Sequence, residues 1–367
     1  MIRVLHSVSN MDRAGIETML MNYYRHMDRD KIQFDFLANK SKKGAYDEEI
    51  KNMGGRVYVT PGFNPIKSIE YRNFMMKLFR EHPEYKIVHA HNGALGYWPL
   101  KYAEKSGIPV RIAHSHNTRI NFDLKWIIKS YCKKRLKKVA NLYWGCGKEA
   151  VEFYFGEKAE QEGYKIINNA IEVERFLFNE EKRNKIRKSY HLEDKIVIGH
   201  VGRFMLQKNH KFLIKIFKAI HDKNENTVLL LIGEGELEQE VRNQVEELKL
   251  QDSIIFTGSI PNVNEMYQAM DAFILPSLYE GLPVVGIEAQ AAGLPCYFSN
   301  TVTDETAITD LVKFISLEDS TDIWADIMLA DITKHENRKN MYGDITEAGY
   351  NIEIEAKKLQ DMYLNMV

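Results

Sequence analysis

Short apolar runs alternate with amphipathic stretches along most of the chain. Residues 2–8 form an apolar run of strand length, and after a polar loop the apolar positions of residues 16–27 recur at helical spacing. The same order returns at residues 196–202 and in the stretch that begins near Asn209. Apolar runs of strand length are typical of buried strands, and regular alternation with helices is typical of parallel sheets. The pattern therefore predicts an α/β fold of the doubly wound, Rossmann-like type.

Two domains are expected, because this unit of strand, loop and helix occurs in both halves of a long chain. A chain of 367 residues exceeds one ordinary hydrophobic core. Further strands are predicted at residues 34–38, 57–60, 87–90, 228–232 and 271–275, and others begin at residues 110, 142, 254 and 295.

The stretch at residues 271–295 predicts a strand, a loop and a helix that stops at Gly293-Leu-Pro295. Pro283 suits the first turn of this helix, because its missing N–H is needed least there. Glu280 lies in the loop and Glu288 lies about two turns into the helix. The free N–H groups of the helix start are therefore expected between two carboxylates.

This arrangement predicts the kind of ligand. Free N–H groups and the helix dipole favour a phosphate, whereas a carboxylate suits neutral hydroxyls. A ligand with phosphates in the middle and polyols at the ends, such as a sugar nucleotide, meets both requirements. The alternative is that Glu280 is a solvated loop residue and Glu288 an ordinary surface residue of the helix.

The loop after the strand at residues 196–202 carries two cations. Arg203 follows Gly202 directly, and Lys208 precedes a helix start. Two fixed cations beside a helix start suit a diphosphate, the arginine by paired hydrogen bonds and the lysine as a point charge. The alternative is ordinary surface charge.

Histidines stand at the ends of two predicted strands in the first half. His89 and His91 end one strand, and His114 and His116 end the next. Ligands bind at the carboxyl ends of parallel strands, so these four side chains are candidate site residues. A single histidine is more often a hydrogen-bonded structural residue, but four at neighbouring strand ends favour a role in binding.

Composition excludes several classes of function. The net charge of −1 gives no sign of nucleic-acid binding. Cys132, Cys146 and Cys296 match no metal-ligand spacing and fit a reducing compartment. The loop after the first strand contains only Gly15, so a nicotinamide cofactor is not supported, and no aspartate-rich metal cluster occurs. A signal peptide and an apolar stretch of about 18 residues are both absent, which predicts a cytoplasmic protein or one attached to the membrane surface.

A basic amphipathic helix is predicted at residues 125–138. No acidic residue interrupts it from Lys125 to Lys138, and Trp126 adds an interfacial side chain. Its apolar stripe is predicted to consist of Leu124, Ile127, Ile128, Tyr131 and Val139. We expect either a docking face for an anionic membrane or an ordinary solvated face.

The stretch Pro-Ser-Leu-Tyr-Glu280-Gly-Leu-Pro, with Glu288 eight residues after Glu280, resembles the signature of retaining glycosyltransferases of family four, in the bacterial branch that assembles capsule or exopolysaccharide. The resemblance implies the GT-B fold, in which two Rossmann-like domains face each other across a cleft. Residues 1–170 would form the acceptor-binding domain and residues 171–345 the nucleotide-sugar-binding domain. A terminal helix at about residues 346–367 would pack back on the first domain.

The resemblance also implies roles for single residues. Arg203 and Lys208 would stabilise the donor diphosphate, Glu280 would hold sugar hydroxyls and Glu288 would hold the ribose. His116 would contact the transferring sugar, with His114 as the alternative. The remaining residues with implied roles are the donor-binding Gly15, Gly202, Gly281, Leu282, Val284 and Val285 and, on the acceptor side, His91 and Asn92. The family usually has two glycines at the first loop, whereas this chain has Ala14 and Gly15.

The expected reaction is metal-independent, retaining transfer of a sugar from a nucleotide diphosphate to a glycan hydroxyl. UDP is the usual nucleotide of this branch, and a lipid-linked acceptor at the inner membrane face is implied. No cofactor is expected, because the nucleotide-sugar is a substrate. Two alternatives stay open: a GT-B nucleotide-sugar epimerase, and a non-catalytic partner subunit that resembles a glycosyltransferase.

Overall fold

The strands of the chain belong to two separate parallel sheets. The computed structural model describes residues 1–12, 14–39, 43–63, 68–117, 126–156, 163–332, 334 and 338–367. The chain divides into unit 1, Met1–Ile171 with Ile352–Val367, and unit 2, Glu172–Asn351. The sequence analysis had placed the boundary between residues 170 and 171. Each unit is a doubly wound α/β domain, as the alternating pattern predicted.

Unit 1 contains a parallel sheet of seven strands with helices between them. Its strands are β1 (Ile2–Val8), β2 (Ile32–Ala38), β3 (Val57–Val59), β4 (Tyr85–Ala90), β5 (Val110–Ser115), β6 (Leu142–Gly145) and β7 (Lys165–Ile166). Its helices up to this point are α1 (Gly15–His26), α2 (Asp47–Asn52), α3 (Ser68–Glu81), α4 (Tyr97–Lys105), α5 (Trp126–Val139) and α6 (Lys148–Phe155). The strand order is β3-β2-β1-β4-β5-β6-β7, so β1, β4 and β5 are neighbours.

Unit 2 contains a parallel sheet of six strands. Its strands are β8 (Ile196–Val201), β9 (Thr227–Ile232), β10 (Ile254–Phe256), β11 (Ala272–Leu275), β12 (Cys296–Ser299) and β13 (Val312–Ile315). Its helices are α7 (Val173–Phe176), α8 (Glu180–Ser189), α9 (His210–Lys223), α10 (Glu238–Glu247), α11 (Val263–Ala269), α12 (Val284–Ala291), α13 (Thr321–Ile332) and α14 (Tyr342–Glu347). The strand order β10-β9-β8-β11-β12-β13 reverses direction between β8 and β11.

The last helix, α15 (Ile352–Leu364), returns to unit 1. Leu359 and Tyr363 are buried among the apolar side chains of the sheet and α1, and Met362 and Met366 are partly buried against the same cluster. The sequence analysis had begun this returning tail at about residue 346, which is too early. α14 belongs to unit 2, where its Ile345 is fully buried, so the return starts only at Ile352.

Within the ranges that the structure describes, no helix is long and apolar enough to cross a membrane.

Candidate functional site

The central site candidate of unit 2 lies where its strand order reverses. β8 and β11 are neighbours, and their following loops run side by side. The backbone N–H of Leu278 donates to the carbonyl of Gln207 over 2.8 Å, and the side-chain amide of Asn209 donates to the carbonyl of Pro276 over 3.1 Å. Ligands of doubly wound sheets bind at such a reversal point, so the residues of these two loops form the candidate site.

Lys208 and Glu280 meet at this point. The Lys208 Nζ lies 2.6 Å from Glu280 Oε1, and the two side chains are only 14% and 8% exposed. The Ser277 hydroxyl donates to the same carboxylate oxygen over 2.8 Å, and the Gln207 amide donates to Oε2 over 3.0 Å. Glu280 is therefore a firmly held carboxylate and not a solvated loop residue. Both residues were predicted from the sequence as site residues, but their pairing was not.

Arg203 supplies a second cation beside this pair. Its side chain is exposed, and it forms no ion pair or hydrogen bond with any residue in the described part of the chain. Gly202 before it has a packing reason to be glycine, because an added Cβ would lie 2.9 Å from the Nε2 of His200 and 3.2 Å from the Lys208 side chain. The backbone at Gly202 therefore stays close to Lys208, and the Arg203 guanidinium is left for solvent or an anion.

The helix start that the sequence predicted follows Glu280 directly. Pro283 is the residue before the first turn of α12, in extended conformation, and no side chain of the described residues caps the helix there. The first N–H groups of α12, which begins with Val284 and Val285, are thus available to an anion. Gly281 lies in the loop, and Leu282 is buried beneath it.

Glu288 lies about one turn into α12, and not two as the sequence suggested. The Tyr267 hydroxyl donates to its Oε2 over 2.8 Å. Burial raises the pKa of Glu288 to about 7, and the hydrogen bond from Tyr267 opposes that rise. A carboxylate held in a desolvated position is unlike the ordinary surface residue that was the alternative.

The edge of unit 1 at the ends of β1, β4 and β5 holds five histidines, which we call the histidine cluster. It consists of His6, His89, His91, His114 and His116. One line of hydrogen bonds joins His6 Nδ1 to His91 Nε2 over 3.1 Å and His91 Nδ1 to His116 Nε2 over 2.9 Å. A second line joins the Tyr363 hydroxyl to His89 Nδ1 over 2.7 Å and His89 Nε2 to His114 Nδ1 over 3.0 Å.

The histidine cluster is uncharged at neutral pH. Burial lowers the pKa of His6 and of His116 to about 3 and holds the pKa of the other three imidazoles well below the ordinary value. His116 lies just beyond the end of β5 and is the most exposed of the five. Neutral rings can still donate and accept hydrogen bonds, so this edge suits hydroxyl groups better than anions.

Two members of this edge escaped the sequence analysis. His6 lies on β1 directly opposite His89 on β4, and Tyr363 comes from α15. The usual order of a doubly wound sheet, in which the first and fourth strands are neighbours, could have brought His6 into the group. The contact with Tyr363 spans 274 residues and had no local signal. Asn92, which was predicted beside His91, accepts a hydrogen bond from Ser7 over 2.7 Å.

The histidine cluster also has a geometry that a metal ion could use. His6, His89 and His91 each offer one nitrogen within 4.8 Å of the other two, and so do His91, His114 and His116. The sequence analysis had predicted no metal ligand in the chain, because it searched for cysteine spacings and acidic clusters.

Gly15 begins α1 in an open position. An added Cβ there would meet nothing within 4 Å, and Ala14 before it is extended. Packing inside unit 1 therefore does not require glycine at this residue, and a requirement would have to come from a ligand.

The basic helix is α5, and its buried face differs from the predicted one. Cys132, Leu136 and Val139 are buried, whereas Ile127 is 75% and Tyr131 is 45% exposed. The predicted stripe was therefore wrong at Ile127 and Tyr131, whereas Val139 is buried and Ile128 is partly buried against the core, as predicted. Leu124 and Lys125 lie outside the described residues. α5 thus presents apolar and basic side chains together to solvent, including Trp126, which is 40% exposed.

The family models that match this chain, and two of its relatives, are named as glycosyltransferases. Residues 181–343 match the family model of glycosyl transferases group 1, and residues 13–147 match that of Glycosyltransferase Family 4. A Bacillus subtilis (strain 168) protein named as a glycosyltransferase, EpsF, is 34% identical over 368 residues, which cover 98% of this chain and 96% of that protein. The Escherichia coli UDP-Gal:alpha-D-GlcNAc-diphosphoundecaprenol alpha-1,3-galactosyltransferase is 26% identical over 375 residues, which cover 96% of this chain and 94% of that enzyme.

A solved structure shows the same fold. The crystal structure of Anabaena Alr3699/HepE in complex with UDP and glucose has a TM-score of 0.80 at 13% identity and covers 100% of both chains. Two doubly wound domains with this likeness define the GT-B fold. The chain belongs to the glycosyltransferases of family 4 and carries the group 1 domain in unit 2.

Proposed function

We propose that the protein transfers a sugar, with retention of configuration, from a UDP-sugar to a hydroxyl of a lipid-linked glycan in bacterial surface polysaccharide assembly. The observation that carries this proposal is the buried Lys208–Glu280 pair at the strand reversal of unit 2. It lies next to Arg203 and to the start of α12, and among the described residues no side chain pairs with Arg203 or caps this helix start. UDP as the donor nucleotide is supported by the HepE complex and by the name of the Escherichia coli relative, and that name also supports a diphosphate-linked lipid acceptor.

The difficulty of the reaction is the negative charge that develops on the leaving diphosphate. Arg203, Lys208 and the first N–H groups of α12 would stabilise this charge as it forms, which lowers the barrier more than it tightens substrate binding. These groups supply positive charge from the protein itself. We therefore propose that transfer needs no metal ion at the diphosphate.

Glu280 and Glu288 would bind donor hydroxyls. Glu280 is held by Ser277, Gln207 and Lys208, so it can accept a hydrogen bond from a sugar hydroxyl at a fixed position. Glu288, whose partner is Tyr267, would accept from the ribose. Neither is proposed as a covalent nucleophile: the acceptor would attack on the side of the leaving phosphate, which takes the acceptor proton.

The histidine cluster of unit 1 would bind uncharged groups of the two substrates. By resemblance to the family, His116 is proposed to contact the transferring sugar, and His91 and Asn92 to line the acceptor side. Gly15 is proposed to allow the approach of the donor phosphates. The supporting observation is that the imidazoles are neutral and held in hydrogen-bonded lines, which suits hydroxyl recognition.

The acceptor is proposed to be reached at the inner face of the membrane. α5 carries exposed Trp126, Ile127 and Tyr131 together with lysines, a composition that binds anionic lipid surfaces. Co-sedimentation with vesicles would test this: binding should require acidic lipid and should fall when Lys133 and Lys134 are changed to Gln. The same change at Lys185 and Lys188 of α8 is the matched control and should leave binding unchanged.

The experiment that tests the function is donor binding and hydrolysis across UDP-, GDP- and ADP-sugars with EDTA present. Tight binding of the UDP series with slow sugar release supports the proposal, and transfer to a diphosphate-linked lipid should follow with the anomeric configuration retained. Binding to none of the three would favour the partner subunit. Free UDP together with an epimerised sugar, formed without acceptor, would favour the epimerase.

A further inference from the structure

Three imidazoles of the histidine cluster are arranged as the ligands of a metal ion would be. His91, His114 and His116 each offer one ring nitrogen, and the three nitrogens lie within 4.8 Å of one another. We propose that these residues form a binding site for a borderline-soft divalent cation, represented by Zn²⁺, in unit 1. The site is separate from the diphosphate chemistry proposed above and does not depend on it.

The nitrogens needed for coordination are close to the required spacing. His91 Nδ1 and His116 Nε2 are 2.9 Å apart and share one proton, and His114 Nε2 is buried without a hydrogen-bond partner among the described residues. Zinc–nitrogen bonds of about 2.0–2.1 Å place two tetrahedral ligands roughly 3.3 Å apart. Binding therefore asks His91 and His116 to separate by only about half an ångström, and the proton between them has to move to the outer nitrogen of its own ring.

Two of these three rings, His91 and His114, already have outer partners. His91 Nε2 is held by His6 over 3.1 Å, and His114 Nδ1 is held by His89 over 3.0 Å. His89 is fixed in turn by the Tyr363 hydroxyl over 2.7 Å. Histidine ligands of metals are usually oriented in this way by a bond to their other nitrogen. Such support distinguishes a built site from histidines that merely lie close together.

The second histidine triplet is a poorer candidate. His6, His89 and His91 are all buried, with exposures of 3% or less. Both nitrogens of His89 already have partners, Tyr363 and His114, so coordination by His89 would break the second line of hydrogen bonds. The triplet of His91, His114 and His116 is half-open at His116, where an ion can enter and a water can complete the coordination.

The ligand chemistry selects the class of ion. Imidazole nitrogen suits Zn²⁺, Co²⁺, Ni²⁺ and Cu²⁺, whereas Mg²⁺ and Ca²⁺ prefer oxygen, and the triplet contains no carboxylate. We therefore expect binding of Zn²⁺ and Co²⁺ but not of Mg²⁺.

The test is a titration of the untagged, EDTA-treated full chain with Zn²⁺ by calorimetry and with Co²⁺ by visible absorption. Wild type and His82→Gln, a matched control at a partly buried histidine of unit 1, should bind one ion per chain. His91→Gln and His114→Gln should weaken Zn²⁺ binding at least 100-fold. Equal binding by wild type and the His114 variant, or no saturable binding by wild type, would overturn the proposal.

A second measurement uses wild type alone, so its result does not depend on whether the variants fold. With ¹⁵N-labelled histidine, Zn²⁺ should shift the ring signals of three buried imidazoles and leave those of His26, His82 and His221 unchanged, whereas Mg²⁺ should shift none. Shifts confined to exposed histidines would contradict the proposal. Should His114→Gln not fold, His116→Gln at the half-exposed position replaces it, with the same expected loss.

Discussion

The two units use the same edge of a parallel sheet for opposite chemistry. At the ends of β1, β4 and β5, unit 1 gathers five imidazoles that burial keeps neutral and that bond to one another. At the ends of β8 and β11, unit 2 gathers a lysine and a glutamate in a buried ion pair, with the exposed side chain of Arg203 earlier in the loop after β8. Topology thus determines where the edge lies, and the side chains give one edge neutral hydrogen-bonding rings and the other edge paired charges.

The largest loss of activity is expected from removing the positive charge of Lys208 at the strand reversal of unit 2. Lys208→Met keeps the apolar stem but deletes the charge proposed to stabilise the leaving diphosphate, so kcat/KM should fall by about 10³-fold or more, within the range seen for lost transition-state contacts. Steady-state transfer assays and circular dichroism would measure activity and fold. Lys211→Met, at an exposed lysine of α9, is the control and should stay within about twofold. Near-normal turnover by the Lys208 variant would remove the assignment.

Glu280→Gln tests the other member of the ion pair. It removes the carboxylate that pairs with Lys208 and leaves the Lys208 ammonium in place. Turnover should fall by about 100-fold, since the amide is a weaker acceptor for sugar hydroxyls than the carboxylate. UDP affinity, measured by calorimetry, should hold or rise because Lys208 is released from its ion pair. The Lys208 and Glu280 variants are thus expected to change UDP affinity in opposite directions. A parallel loss in both would mean that the pair acts only as a structural brace.

Most of the fold was predictable from the sequence, because the buried strands are continuous apolar runs. β1, β2 and β11 lie where the pattern placed them, and the alternation with helices identified both sheets as parallel. The tail was harder to predict. Met362, Tyr363 and Met366 form a helical face wherever the helix begins, so the pattern could not distinguish a start at residue 346 from the observed start at Ile352.

The sequence was sufficient to predict single residues of the site but not which of them contact each other. Lys208 and Glu280 were each chosen for their loop positions, and their contact over 72 residues appears only when β8 and β11 are neighbours. His6 shows the same limit, because a single histidine in a strand gives no signal until its neighbour on β4 is known. For α5, periodicity found a helix but placed Ile127 and Tyr131 on the buried face, since both faces carry apolar residues.

Glu288 permits a prediction that separates function from stability. Its pKa of about 7 in the folded chain lies above the ordinary 4.5, so the folded state keeps a proton between these values that the unfolded chain releases. The stability that this group contributes is complete below pH 4.5 and is lost progressively as the pH rises from about 4.5 to 7. Glu288→Gln should therefore raise Tm relative to wild type at pH 8 and leave it nearly unchanged at pH 4.

The same variant should bind donor less well. An ionised Glu288 is the better acceptor for ribose hydroxyls, so the donor KM of wild type should rise as the pH falls below 7, and Glu288→Gln should show a KM about tenfold higher with a flatter pH profile. Glu240→Gln on the exposed face of α10 is the control for removing one carboxylate. An equal pH dependence of KM in wild type and variant would show that another group titrates.

The smallest effect on sugar transfer is expected from Tyr363, whose hydroxyl begins the second line of hydrogen bonds in the histidine cluster. Tyr363→Phe deletes the hydroxyl that holds His89, which leaves a buried nitrogen without its partner and should cost about 1–3 kcal/mol of unfolding free energy. Tyr46→Phe, whose hydroxyl lies 3.1 Å from that of Thr18 at a partly exposed position, is the control and should cost less. Because Tyr363 reaches His114 only through His89, and His116 belongs to the other line of hydrogen bonds, transfer by Tyr363→Phe should stay within about threefold of wild type. A large loss of activity at unchanged Tm would mean that the two lines act as one unit, and that the histidine cluster depends on the returning helix for catalysis as well as for stability.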